Sequence, residues 1–273
     1  MTPKSRKERD QEDRSIESAK SLGAKLIFEV IRREGDEELE RPIRSLIWSG
    51  VAAGIMISMS VLGEAIFRTY LPDTPWRPLL ENLGYSLGFL VVILGGMQLF
   101  TENTITTVLP LMSRPGLRML GRVARLWTVV LIANVVGAFA IAILYAHTPA
   151  LPSELMPALM ELSHHATGMP AGQSFFRAIP AGVIVAAIVW MLPNSEGFGF
   201  WVILTFTWLI AAGDFTHVVA GSVEMALLMV TGQLALWPAL SGFFIPVLAG
   251  NVVGGTVIFA LITYGQVRHE LKH

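Results

Sequence analysis

His217 is the one histidine of six set inside a strongly apolar stretch of this chain; His147, His164 and His165 fall in a loop, and His269 and His273 in the C-terminal tail. An unperturbed imidazole titrates near pH ~6.5, so it exchanges protons in the physiological range. An ionisable group at membrane depth is expensive and normally faces a polar cavity. Two roles fit it: handling a solute or proton, or a neutral hydrogen bond between packed helices. Thr101 has a hydroxyl that can donate to a small anion, accept from His217, or cap a helix. Glu64, Glu102, Asp214 and Glu224 lie in or beside apolar stretches, where capping or pairing competes with a transport role. Asn134 and Asn251 carry amides able to satisfy freed backbone groups inside lipid.

The chain has no cysteine, which excludes thiolate chemistry and disulfides. It has no Gly-rich phosphate loop, metal-ligand motif or nucleophile elbow. No catalytic residue, metal or cofactor is therefore expected, and an enzyme is the least favoured class. A net charge of −1 gives no ground for a nucleic-acid partner.

These residues recur in a pattern. GGMQLFTENT (Gly95 to Thr104) is followed by ANVVGAFAIAILY (Ala133 to Tyr145); AAGDFTHVVA (Ala211 to Ala220) is followed by AGNVVGGTVIFALITY (Ala249 to Tyr264). Phe100-Thr101 and Phe215-Thr216 lie 115 apart, Asn134 and Asn251 117 apart. Interruptions of two apolar segments in corresponding halves point to a transporter binding site.

The elements that must position them are membrane helices. Of 273 residues 53% are hydrophobic and 15% charged, with mean hydropathy +0.57; soluble domains carry about 25% charged residues. Six segments approach bilayer length: roughly 46–67, 83–111 interrupted at Gln98 to Asn103, 123–145, 175–192, 198–230 interrupted at Gly213 to His217, and 240–264. Ahead of them, residues 1–14 are charged, and Ser15 to Arg33 has the spacing of an amphipathic helix. The expected organisation is a cytoplasmic tail and amphipathic helix over 1–44, a transmembrane channel domain over 45–265, and a second tail over 266–273. Seventeen of twenty Lys+Arg fall in the tails and the loop between segments two and three. The positive-inside rule then places both termini in the cytoplasm. Halves of three segments insert in opposite senses, which makes the repeat an inverted one.

LFTENT, ANVVGA, the AIVWM run at Ala187 to Met191, GDFTHVVAGS and AGNVVGG follow in the order seen in the formate/nitrite transporter family, which residues 45–265 resemble, in particular an inner-membrane branch of it. The resemblance implies an all-α, aquaporin-like bundle of six transmembrane helices with the second and fifth broken. It implies a homopentamer in a bacterial inner membrane, with one pore per subunit. It implies that His217 and Thr101 face each other in mid-pore, near Phe100 and Phe215. Hydrophobic constrictions would fall on Tyr85 and Ile210 toward the periplasm, and on Phe89, Leu99 and Val185 toward the cytoplasm. It implies an N-terminal helix touching a neighbouring subunit; Asn134 and Asn251, from their matched positions, are read as braces of the broken backbones rather than as substrate contacts. The chain departs from the family's pattern at Thr216, Gly221, Gly182, Ala166 and Ile210, where glutamate, two asparagines, lysine and phenylalanine are usual.

The leading expectation is a channel or proton-linked carrier for a small monovalent anion or weak acid. A channel for a neutral or cationic solute and a non-transporting membrane scaffold are the alternatives. The scaffold would bind a partner through its charged N-terminal tail, so deleting the tail would abolish function and leave flux untouched.

Overall fold

A computed structural model describes residues 22–270. The helices run in this order: α1 Ala24–Glu40, α2 Ile43–Tyr70, α3 Arg77–Leu94, α4 Phe100–Thr106, α5 Val108–Ser113, α6 Leu117–His147, α7 Met156–Thr167, α8 Ala171–Asn194, α9 Gly199–Ala212, α10 Val218–Val230 and α11 Leu236–Val267. Five of them (α2, α3, α6, α8 and α11) are long and apolar enough to cross a membrane. Large apolar side chains such as Trp48, Leu117, Phe176, Trp237 and Ile262 are exposed over the outside, as in a bundle whose solvent is lipid or other subunits.

The two halves pack alike. α2 lies along α6, and α8 along α11. Close approach is set by glycine: a Cβ on Gly54 would strike the Asn134 carbonyl, and one on Gly182 the Asn251 carbonyl. Small residues at such crossings let membrane helices touch backbone to backbone. α11 contains π-helical turns over Ala239–Phe244 and Val253–Ala260. The second brings the Thr256 hydroxyl to the carbonyl of Thr104 at 2.6 Å, which ties the last helix to α4.

Several expected boundaries move. The amphipathic helix runs Ala24–Glu40, seven residues past Arg33, until Pro42 turns the chain; positions 15–21 lie outside the described residues. The first interruption is Gly95 to Leu99, three residues earlier than Gln98 to Asn103. Glu102 and Asn103 are helical, because the chain resumes α-helix at Phe100. His164 and His165 sit on an additional helix, α7.

Candidate functional site

Both interruptions are built from one backbone motif. At the first, Gly96 takes φ +60°, the Met97 N–H bonds the Val92 carbonyl at 3.0 Å, and the Gly96 N–H bonds Ile93 at 3.1 Å. At the second, Asp214 takes φ +53°, the Phe215 N–H bonds Ile210 at 2.9 Å, and the Asp214 N–H bonds Ala211 at 2.9 Å. This is a Schellman ending, in which a left-handed residue lets late carbonyls be satisfied from beyond the helix. Glycine enters that conformation freely, and aspartate is among the few others that tolerate it.

Each restarting helix is then clasped by an asparagine. Asn134 accepts the Phe100 N–H at 3.0 Å and donates to the carbonyls of Gly50 and Gln98, both at 2.8 Å. Asn251 accepts the Val218 N–H at 2.8 Å and donates to Ala178 at 2.8 Å and Thr216 at 3.0 Å. Both amides are fully buried. The Schellman turns and the clasped N–H groups match at an offset of 118 residues, with the asparagines themselves 117 apart, so Leu99 is equivalent to His217 and Phe100 to Val218. The Phe-Thr strings that look alike at an offset of 115 are therefore not equivalent in space. The left-handed residue and the clasp fix the register, and neither depends on those side chains.

The two restarting helices meet at Thr101 and His217, whose Oγ1 and Nε2 are 2.8 Å apart. His217 also caps α10: its Nδ1 accepts the Ala220 N–H at 3.3 Å. An accepting Nδ1 assigns the ring proton to Nε2, so Nε2 donates to Thr101. The Thr101 hydroxyl hydrogen is left for another partner. The Thr101 and Val219 N–H groups have no hydrogen-bond partner among the described residues. Thr101 does not cap the resumed helix, because Leu99 occupies that position and offers no side-chain cap.

Aromatic rings stand beside this pair. The Phe89 ring stands edge-on to His217, centroids 5.1 Å apart and planes at 76°, and Tyr85 packs on Phe89 at 5.2 Å. Leu99, Val185 and Ile210 are buried in the same core. Phe100 turns away: its ring packs on Trp127 at 5.6 Å. A cavity of about 490 Å³ reaches His217 from one end, lined among others by Glu64, Tyr85, Phe215, Thr216, Glu224 and Phe243. A smaller one of about 190 Å³ opens at the other end, lined by Glu34, Glu38, Gln98, Glu102 and Asn103. Phe89, Leu99 and Thr101, all buried, line neither cavity.

The acids divide sharply. Asp214 pairs with Arg177 and with His165 Nε2 (2.9 Å); it caps neither half-helix. Glu102 lies in the first turn of α4, facing the smaller cavity. Glu64 and Glu224 both line the larger cavity.

Two departures gain a structural account. A Cβ at Gly221 would collide with the Phe243 ring, so that ring occupies the space of a longer side chain there. Thr216 turns its hydroxyl to the Ser174 carbonyl at 2.8 Å, fastening the second break to α8. Sequence reasoning missed Phe243 and the ion pairs of Arg68, because both depend on contacts across distant segments. Their only local signal was a charged or bulky residue near a segment end.

Comparison with known proteins agrees with this architecture. Residues 25–265 match the family model described as formate/nitrite transporter. The chain is 41% identical over 254 residues to inner membrane protein YfdC of Escherichia coli (strain K12), covering 92% of this chain and 81% of that one. Two solved structures share the fold. A pentameric formate channel with formate bound superposes with TM-score 0.72 at 23% identity, over 83% of this chain and 98% of that one. An FNT family ion channel gives 0.75 at 20% identity, over 89% and 98%. A model match over most of its length and a relative this similar place the chain in the formate/nitrite transporter family.

Proposed function

We propose that the protein is a channel for a small monovalent anion of the formate or nitrite type, or its conjugate weak acid, which passes between the two breaks. The observation that carries this is the Thr101–His217 hydrogen bond at the inner end of a cavity, where two interrupted helices meet. The N-terminus of α10 points there with the Val219 N–H unpartnered among the described residues. Helix N-termini favour negative charge. With Nε2 donating to Thr101, the Thr101 hydroxyl is free to donate to a passing oxyanion or carboxyl oxygen.

Six membrane spans, the second and fifth broken, account for the five long helices plus the α9–α10 pair. α3 with α4 and α5, and α9 with α10, are the broken spans of an inverted repeat. The channel domain takes residues 45–265, flanked by tails over 1–44 and 266–273. The assembly is a homopentamer in a bacterial inner membrane, with α1 and the C-terminus cytoplasmic and α7 periplasmic. Tyr85 and Ile210 form the outer constriction; Phe89, Leu99 and Val185 form the inner one. Phe215 lines the outer vestibule, and Phe100 contributes its backbone. A dehydrated lone anion is unstable between apolar rings, so neutralisation or donation at Thr101 and His217 is the step that selects the solute.

Formate and nitrite flux into proteoliposomes, compared with swelling in glycerol or methylammonium, tests this. The expected result is flux of the acids well above protein-free vesicles, lost in His217→Phe. Flux of the neutral or cationic solutes alone would overturn the anion channel.

A further inference from the structure

Glu64 on α2 and Glu224 on α10 are 7% and 9% exposed, and what remains exposed faces the larger cavity. Neither carboxyl has a hydrogen-bond partner among the described residues. Every cation around that cavity is committed to another acid. Arg68, one turn beyond Glu64, donates to Glu81 at 2.7 Å and pairs with Glu161 on α7. Arg77 lies 3.3 Å from Asp73 and 3.5 Å from Glu81. Arg177 on α8 and His165 on α7 both hold Asp214. His217 is engaged with Thr101 and Ala220, and Tyr85 brings only a neutral phenol. Two buried acids therefore share one cavity with Phe215 and Phe243 and no uncommitted counter-charge.

Such groups are stable with a proton, and the cavity wall gives each proton a route to the solute. Resting on the channel reading above, we propose that Glu64 and Glu224 form a proton-exchange site in the outer vestibule that protonates a small weak-acid anion before it reaches Thr101 and His217. In that step the carboxyl O–H bond breaks and its electron pair stays on the glutamate oxygen. A new O–H bond forms on the anion, which moves on as the neutral acid. Hydronium of the outer medium restores the glutamate proton, so charge and atoms balance with no other reactant. The pair lies before the apolar rings, where neutralisation removes the cost of entering them.

The sign of one experiment separates this from a passive acidic wall. Ionised carboxylates would repel an anion, so their replacement by glutamine would speed formate entry. A proton donor acts the other way. Full-length protein, Glu64→Gln, Glu224→Gln and the double variant are placed in proteoliposomes, and formate uptake is followed from pH 5 to 8. The double variant is expected to lose about tenfold or more of the pH 7 flux. The loss should shrink at pH 5, where the medium supplies more neutral acid. Flux equal to or above the unaltered protein at pH 7 would overturn the proposal. Infrared spectra of the unaltered protein minus those of the double variant give a readout that needs no transport. They should contain the C=O stretch of a protonated carboxyl at pH 7. That band without formate flux would sink the channel reading and support the proton site. Flux without the band would sink the proton site alone.

Discussion

At the break after α3 the chain reads Gly95, Gly96, Met97, Gln98, Leu99; at the break after α9 it reads Gly213, Asp214, Phe215, Thr216, His217. The Schellman turn and the asparagine clasp recur bond for bond at both breaks. Elsewhere the partners differ: the Gln98 N–H goes to the Ser49 hydroxyl and the Thr216 N–H to the Arg177 carbonyl, and the side chains differ as well. Where the first break has an inert glycine in the left-handed conformation, the second has a charged aspartate gripped by Arg177. Where the first helix restarts behind leucine, the second restarts behind histidine. The Schellman turn and the asparagine clasp carry all the geometry, so the residue before the restart is free to be chosen for chemistry. The surroundings differ too. α1 covers the first break, with Glu38 accepting from Gln98 at 2.8 Å. The second break opens on the larger cavity.

If the clasps are equivalent, Asn134→Ala and Asn251→Ala should be equally damaging. Each strands one buried N–H and two carbonyls, at about 1–3 kcal/mol apiece. Thermal unfolding in detergent should show a loss of about 3 kcal/mol or more for either variant. Tolerance of one and not the other would break the symmetry.

Making the second break resemble the first should remove function while leaving the fold. His217→Leu should lower formate flux about 10²-fold, the scale of losing an oriented donor, with assembly size unchanged on gel filtration. Wild-type flux in that variant would show that the histidine is only a cap.

The left-handed position offers a milder test. Gly96→Ala should destabilise by about 1 kcal/mol, because a Cβ there is strained. Asp214→Gly relieves that strain but releases Arg177, so its melting temperature should move less than that of Gly96→Ala.

The smallest effect concerns the cover over the first break. Hydrogen bonding to Arg32, aided by Arg33, lowers the Glu29 carboxyl to about 2. Its contribution to α1 is present above the ordinary value near 4.5 and is lost as pH falls toward 2. Burial, then Glu37 and Glu38, raise the Glu34 carboxyl. Its ionised form opposes docking, so that opposition fades as pH falls through its raised value. Amide exchange over residues 24–40 should therefore slow slightly on mild acidification, then quicken below pH 4. Glu34→Gln should abolish the first phase and spare the second.

Much of the fold is legible in the sequence. Hydropathy located the membrane segments, although ends moved by several residues wherever a polar helical turn extended them, as at Leu117 and Ala171. At the second break Gly213 and Asp214 interrupt the apolar run where α9 ends. At the first, the helix ends three residues before the polar run begins. Glycine counts as nearly neutral in hydropathy, so the Gly95-Gly96 turn was hidden, while the polar Thr101, Glu102 and Asn103 drew attention although they are helical. The asparagines stand out in the sequence because their spacing repeats. The rim around Arg68, Glu81 and Glu161 was not legible, since it joins side chains 13 and 93 residues apart.

The clasps also order events in time. Asn134 emerges 34 residues after the N–H it holds, and Asn251 33 residues after its own. At about 5–20 residues per second, each restarted helix waits roughly 2–7 s in the translocation machinery before its brace is synthesised. During that interval its open backbone must be shielded by water or by the insertion apparatus. Each half of the molecule is thus assembled as a latch whose keeper arrives last, and a pause between break and asparagine would prolong the most vulnerable moment of its biogenesis.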